Sequence, residues 1–481
     1  MAEKNTSRSP SYSLTLRVRI PNRPGLLSKV TGVIGKAGAS IGAIDLVEAD
    51  DDVLVRDIVV NPTGEKQGKK VVALVEGIRG VDVVHASDRT FLLHLGGKIE
   101  VISRTPIKTR DDLSMAYTPG VGRICMSIFE TPENAWKLTM KRRAVAIVTD
   151  GSAVLGLGNL GPAAALPVME GKAQLFKEFG DINAFPICLD TQQSGEIIET
   201  VTRIAPGFGA INLEDISAPR CFEIQEKLQA LLDIPVFHDD QDGTAVVVLA
   251  ALINAVKITK KKMKKLKVVL SGVGASGIGV TRLLLQMGVK DIVGCDRKGA
   301  IYKGRRDHMN PIKDWFASTT NPRHRKGSLK SALKGADVFI GLSAPGIVSA
   351  ADLKRMGKKP IIFALANPIP EVPPEQLGFA AIVGTGRSDY PNQINNALAF
   401  PGILLGCLNV RASRITPQML VAAAEAIAHT IPTGTLQPDY IVPSIFDRNV
   451  ARMVAAAVAR EAKRSRISRR SPKAPGDARY S

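Results

Sequence analysis

Aromatic residues are scarce in this sequence: Phe, Trp and Tyr together make 5% of its 481 residues. A surface that stacks on single-stranded nucleic acid interleaves aromatics with bases, and no stretch here does so. Cysteines are few and unpatterned. Cys125, Cys188, Cys221, Cys295 and Cys407 are odd in number, scattered, and form no C-x-x-C pair. That argues against a disulfide framework and fits reduced thiols in a cytoplasmic protein. Long apolar runs are missing as well. The longest, at 245–256, is shorter than the ~20 residues that cross a bilayer and reads as a buried helix. The opening MAEKNTSRSP lacks the apolar core of a secretory signal. A membrane partner is therefore not expected.

Charge is the feature in excess. Lys and Arg number 64 against 45 Asp and Glu, a net charge of +19. Much of the excess is local. Residues 257–267 hold seven lysines, and residues 463–481 hold seven basic residues and one acid. Both read as solvated stretches rather than a nucleic-acid surface, and the second as a disordered tail. Hydrophobic residues are 45% and charged residues 23%, ordinary for globular domains, and the length suits more than one of them.

Residues 12–20 alternate polar and apolar, which predicts a half-buried strand. Pro24 and Gly25 then make a turn. Leu26, Leu27, Val30, Val33 and Ile34 come next at helical spacing, and Gly38 can end that helix. Strand-like runs at 40–49 and 53–60, a helical run at 65–78 and a last strand at 81–87 complete the order strand, helix, strand, strand, helix, strand. That order suits a ferredoxin-like α+β sandwich. With its N-R-P-G-L-L turn, Asn22 to Leu27, the segment resembles an ACT domain. The resemblance implies either a small effector, such as an amino acid, bound at the turn, or a purely dimerising module.

After the lysine run the chain alternates strands, at 336–342, 360–365 and 381–385, with helical stretches. A doubly wound parallel sheet is expected. At its start, an apolar strand at 268–270 leads into Gly272-Val273-Gly274-Ala275-Ser276-Gly277 and a helix through 281–287. Gly272 permits a tight turn, Gly274 a close backbone approach to a pyrophosphate, and Gly277 close helix–strand packing. The phosphates would rest on the helix N-terminus. Asp296, about 20 residues on, stands where a carboxylate holds ribose hydroxyls. That favours NAD, while the adjacent Arg297 and Lys298 leave NADP open.

Between these regions, acids stand after two short apolar runs: Glu214 and Asp215 after 210–213, and Asp239 and Asp240 after 234–237. Such positions suit a site at strand ends, and three carboxylates suit Mg²⁺ or Mn²⁺. Paired acids after strands are more often helix caps, so spacing alone does not decide. Tyr117, in a stiff Tyr-Thr-Pro-Gly turn, could present a phenol, and Lys172, in apolar surroundings, could act as a base; taken alone, they read better as a core tyrosine and a snorkelling surface lysine.

The motifs SMAYTPGV, VLGLGNLGP, LPVMEGKAQLFK, INLEDISAP, IPVFHDDQDGTA, ALANPIPE and NNALAFPGILLG together resemble the bacterial malic enzyme family, in that family's order, over about residues 100–405. The resemblance implies NAD(P)- and divalent-metal-dependent oxidative decarboxylation of L-malate to pyruvate. Tyr117 is then the proton donor and Lys172 the base, which also touches substrate, with Asp239 beside it. Glu214, Asp215 and Asp240 hold the metal. Val273 to Ser276 form the phosphate loop, and Asn367 and Asn396 hold malate, with Asn395 next to them. Two positions depart. Asp242 stands where bacterial relatives usually have His, and Ala153 where the larger eukaryotic form has Arg. A homo-oligomer is implied as well. Rival readings are oxaloacetate decarboxylation alone and a non-catalytic amino-acid or dinucleotide sensor. The expected division is 1–98 (ACT-like), 99–245 (substrate and metal), 246–462 (NAD(P)-binding, with C-terminal helices) and 463–481 (basic tail).

Overall fold

A computed structural model describes residues 10–469. The described residues divide into two compact units, one up to Glu100 and the other from Val101 onward.

In the first unit, strand β1 (Leu14–Pro21) alternates buried and exposed side chains, and Leu16, Val18 and Ile20 face inward. It pairs antiparallel with β3 (Val53–Asn61) on one side and β4 (Asp82–Asp88) on the other. Strand β2 (Ser40–Ala49) pairs with β3, giving the order β2-β3-β1-β4. Helices Leu26–Lys36 and Glu65–Glu76 cover one face through Val30, Ile34, Val71 and Val75. This is the expected ferredoxin-like sandwich. Gly25, at φ 88, makes the turn into the first helix, a conformation that costs glycine little. The backbone N–H of Asn22 donates to the Asp52 carbonyl at 2.9 Å.

The second unit holds two sheets. One is wholly parallel: β5 (Ala144–Thr149), β6 (Asn183–Cys188), β7 (Ala210–Leu213) and β8 (Val236–His238), in the order β6-β5-β7-β8. Strands β5, β7 and β8 are buried on both faces, so they read as mostly apolar runs without alternation. The other sheet joins β9 (Lys267–Ser271), β10 (Asp291–Asp296), β11 (Gly299–Ala300), β12 (Val338–Gly341), β13 (Ile361–Ala364) and β14 (Ile382–Thr385), in the order β11-β10-β9-β12-β13-β14. This is the 3-2-1-4-5-6 order of dinucleotide-binding sheets. The third position departs from the expected parallel sheet: β11 is a two-residue strand running antiparallel to β10.

The apolar run at 245–256 lies in helix Thr244–Thr259, apolar all round and buried along most of its length, as a core helix must be. Counted with the turn before it, 239–259 is long and apolar enough to span a membrane, but 72% of its span is buried inside the protein. The expected boundary at 245/246 therefore falls inside a continuous helix. One hydrophobic core passes beneath both sheets, joining Ile147 and Phe237 to Leu270, Val338 and Phe363. The expected tail is ordered at its start. Helix Arg448–Arg464 runs past residue 463, Ile467 is buried, and the Arg469 guanidinium donates to the Asp233 carboxylate at 2.9 Å. The remainder of that tail lies outside the described residues.

Candidate active site

Strands β7 and β8 are parallel neighbours, so the residues just beyond their carboxyl ends are brought to one edge. Glu214 and Asp215 come directly after β7, and Asp239 and Asp240 come after β8 in a tight helical turn, Asp239–Gly243. Asp215 sits in the left-handed region at φ 54, which an aspartate tolerates better than most residues. Its N–H donates to Asp240 Oδ2 at 3.0 Å, and its Oδ1 accepts from the Leu155 N–H at 3.4 Å. Oxygens of Glu214, Asp215 and Asp240 all lie within 4.8 Å of one another.

Lys172 arrives from helix Pro162–Gly180. Its side chain is 10% exposed, and its ammonium lies 2.9 Å from Glu214 Oε1 and donates to Asp239 Oδ2. The face of Phe400 lies 4.2 Å beneath it, a cation–π contact. Burial alone would pull the Lys172 pKa down. The Asp239 and Glu214 carboxylates outweigh burial, and the net direction is up, so Lys172 is an ammonium here. Burial pushes the Glu214 carboxyl well above its ordinary range against the pull of Lys172. Burial, and then the neighbouring Asp240, push Asp215 to about 7.

Among the described residues, four acids face the single ammonium of Lys172. Asp215 Oδ2 and Asp239 Oδ1 are buried without a hydrogen-bond partner among the described residues. Buried carboxylates crowded in this way call for a positive ion, and an all-oxygen donor set suits a hard divalent cation. Glu214, Asp215 and Asp240 fit one.

The cofactor loop adjoins this site. Gly272 turns at φ 97, where a Cβ would stand 2.6 Å from the Leu342 carbonyl, and a Cβ on Gly277 would stand 2.1 Å from the Gly272 carbonyl. Only glycine permits either approach. At Gly274 a Cβ would meet open space, as a backbone facing a ligand should. Ser276 Oγ donates to the Asp240 carbonyl at 2.8 Å, which ties the glycine loop to the acids. Asn396 Nδ2 donates to Asp239 Oδ2 at 3.1 Å. Asn395 caps its own turn by accepting from the Ala397 N–H. The Asn367 carbonyl lies 3.2 Å from where a Cβ on Gly156 would stand, so the ANPIPE segment meets the V-L-G-L-G loop.

Residues 96–198 match the family of malic enzyme N-terminal domains, and residues 241–377 and 378–463 the malic enzyme NAD binding domain. Residues 14–80 match the ACT domain. The chain is 53% identical to an NAD-dependent malic enzyme of Geobacillus stearothermophilus over 96% of each chain. The chain belongs to the malic enzyme family. A bifunctional malic/malolactic enzyme of Bacillus subtilis is 52% identical over 78% of this chain and 92% of its own. Among solved structures, an NAD-dependent malic enzyme of Thermotoga maritima superposes with a TM-score of 0.75 at 48% identity, over 78% of this chain and 99% of its own.

Not every residue singled out from the sequence joins the cluster. Tyr117 caps helix Arg110–Ala116 with its side chain 65% exposed, and its hydroxyl makes no hydrogen bond to Lys172 or the acids. Asp296 does not offer a vacant carboxylate: Arg305 and Lys313 hold it. Asp242 turns away from the other acids and accepts from Gln225 Nε2 at 2.7 Å, and burial raises its pKa. Two contributors were not singled out from sequence. Asn212, fully buried on β7, donates to Glu214 Oε2 at 2.9 Å, and Phe400 floors Lys172. Asn212 stands two residues before the acid pair in an otherwise apolar strand, and a polar residue in such a run was the available signal.

Proposed function

We propose that this enzyme oxidises and decarboxylates L-malate to pyruvate and CO₂, reducing NAD(P), with Mg²⁺ or Mn²⁺ held by Glu214, Asp215 and Asp240. The observation that carries the reading is a buried lysine between two carboxylates, beside an under-compensated set of three acids and a glycine loop hydrogen-bonded to one of them. Family membership supports it. When bound, the metal supplies Lewis acidity and the nicotinamide a hydride acceptor.

Lys172 takes the proton of the substrate hydroxyl. For that it must be neutral, and Glu214 is one of the two carboxylates that hold its proton. Once Glu214's charge is matched by a cation, Lys172 keeps only Asp239 as counter-charge, and its proton leaves more readily. Asp239 and Asn396 fix the ammonium's position. Asn367 and Asn396 hold malate, with Asn395 alongside. Val273 to Ser276, between Gly272 and Gly277, receive the pyrophosphate. Family membership gives Tyr117 the return of a proton to the product carbon, although it stands outside the cluster here.

On the helices either side of Tyr117, Leu113, Met115, Ile124, Met126 and Phe129 are exposed, the last 81% exposed. Exposed apolar side chains in this number support a homo-oligomer in which a second copy covers them. The ACT turn supports a small effector such as an amino acid. A cytoplasmic location rests on the unpatterned cysteines. The proposed functional division is a regulatory segment at 1–98, a substrate and metal segment at 99–245, an NAD(P)-binding segment at 246–462 and a basic tail at 463–481.

The test is turnover of purified protein with L-malate, Mn²⁺ and NAD or NADP, tracking reduced nicotinamide, pyruvate and trapped CO₂ together. Equimolar products, lost on chelation, are expected. Reduced cofactor without CO₂, or CO₂ from oxaloacetate alone, would overturn the reading.

A further inference from the structure

Glu371 stands a few residues beyond Asn367 and is 1% exposed, yet it forms no ion pair among the described residues. A buried carboxyl group without a cation is costly unless hydrogen bonds hold it. Two backbone N–H groups from different strand ends do so. The Ser343 N–H donates to Oε1 and the Ala366 N–H to Oε2, each at 3.1 Å. Ser343 comes just after β12 and Ala366 just after β13, which are parallel neighbours in the cofactor sheet. The Gly346 N–H donates to the Glu371 carbonyl at 3.0 Å, a further tie to the loop after β12. Gly341 leaves the space for this clasp, since a Cβ there would stand 2.3 Å from Glu371 Cδ.

The two loops so joined face different ligands. The loop after β12 rests on the glycine turn. Its Leu342 N–H donates to the Ser271 carbonyl at 2.8 Å, and Ser343 Oγ shares a hydrogen bond with Ser271 Oγ at 2.8 Å. The loop after β13 carries Asn367, whose side-chain amide packs over Gly386, where a Cβ would lie 3.0 Å from both Oδ1 and Nδ2. Between Asn367 and Glu371, Pro368 and Pro370 each fix a backbone φ, so this short stretch has little freedom to absorb a shift.

We propose that Glu371 is a positioning residue that sets the distance between the malate-holding loop and the nucleotide-holding turn. Buried as it is, it acts through Asn367 and Ser343 and not on either ligand. The inference rests on the reading above, in which Asn367 holds malate and the glycine loop the dinucleotide, and it adds the part that keeps the two in register.

The experiment is steady-state kinetics of full-length Glu371→Gln with L-malate, Mn²⁺ and the nicotinamide cofactor, beside calorimetric titration with ADP-ribose. Glutamine has the same shape but a single acceptor oxygen, and its NH₂ would confront the second backbone N–H. The value of kcat/KM for malate should fall about 10- to 100-fold, the scale of a misplacement of about 1 Å, with KM for malate raised. ADP-ribose should bind as it does to the wild type. Gly341→Ala, which displaces the carboxyl group without removing it, should change the same two parameters in the same direction. A purely structural role would lower kcat through loss of folded enzyme and leave KM where it was. An unchanged KM for malate in both variants, or loss of ADP-ribose binding along with turnover, would overturn the inference and leave the malate reading standing. A wild-type protein that does not turn over malate would overturn both.

Discussion

The Lys172 ammonium lies 2.9 Å from the Glu214 carboxylate, and Glu214 is also one of the three acids that converge on a single point. One carboxylate thus serves the base and the candidate metal position together. Replacing Lys172 by Ala should lower kcat by about 10²–10⁴, the usual contribution of a positioned acid–base group. Lys172→Arg should do no better, because a guanidinium keeps its proton. Steady-state kinetics check this, with circular dichroism to show that the fold persists. Full turnover in either variant would remove Lys172 from the reaction.

The metal acids set the sign of a pH effect. Asp215 is raised from 3.8 to about 7, so its proton is bound more tightly folded than unfolded. Its contribution to stability is complete below its unfolded pKa and is lost as pH rises through about 7. The melting temperature of chelator-treated protein should therefore fall between about pH 4 and pH 7 and level off above that. Mn²⁺ should raise it more at the upper end, where the acids are ionised and free to bind. Melting curves with chelator and with Mn²⁺ decide this. A flat profile with chelator would count against the crowding of unmatched carboxylates.

Gly243 has no room for a side chain. An added Cβ would stand 2.0 Å from Asp239 Oδ1, the carboxylate that holds Lys172. Gly243→Ala should push Asp239 off the ammonium, at a cost of about 1–3 kcal/mol in stability, the usual cost of overpacking. It should also lower kcat sharply. Chemical denaturation and kinetics on one preparation test both parts. Wild-type behaviour in each would show the turn to be more pliant than its geometry implies.

Asn212 holds Glu214 from behind, at 2.9 Å and with no exposure to solvent. Asn212→Ala should weaken Mn²⁺ binding by about 10- to 100-fold, as loss of a group orienting a ligand does. Calorimetric titration with Mn²⁺ measures the change. Unaltered affinity would mean that Glu214 is held without Asn212.

How far the sequence could be read depended on whether a feature was local. The strand through Leu16, Val18 and Ile20 announced itself by alternation, and the Gly272 loop by three glycines whose spacing only one turn needs. Lys172 and the acids could be named from family motifs, but their convergence comes from β7 lying beside β8, a pairing that strands of four and three residues cannot advertise. The capture of Asp296 was hidden for the same reason. Its partners are nine and 17 residues away, across loops that no periodicity describes. Tyr117 is the converse case: a motif residue whose surroundings among the described residues remain open.

The continuous core beneath the two parallel-stranded sheets has a calorimetric consequence. Side chains from both sheets share it, so loss of packing under one sheet exposes core residues of the other. Residues 101–469 should absorb heat in one cooperative step, although they carry two sheets. The N-terminal sandwich encloses a separate cluster of its own, around Leu16, Val30 and Ile58. It should act as a second thermodynamic unit, and a scan of the whole chain should resolve into two transitions rather than three.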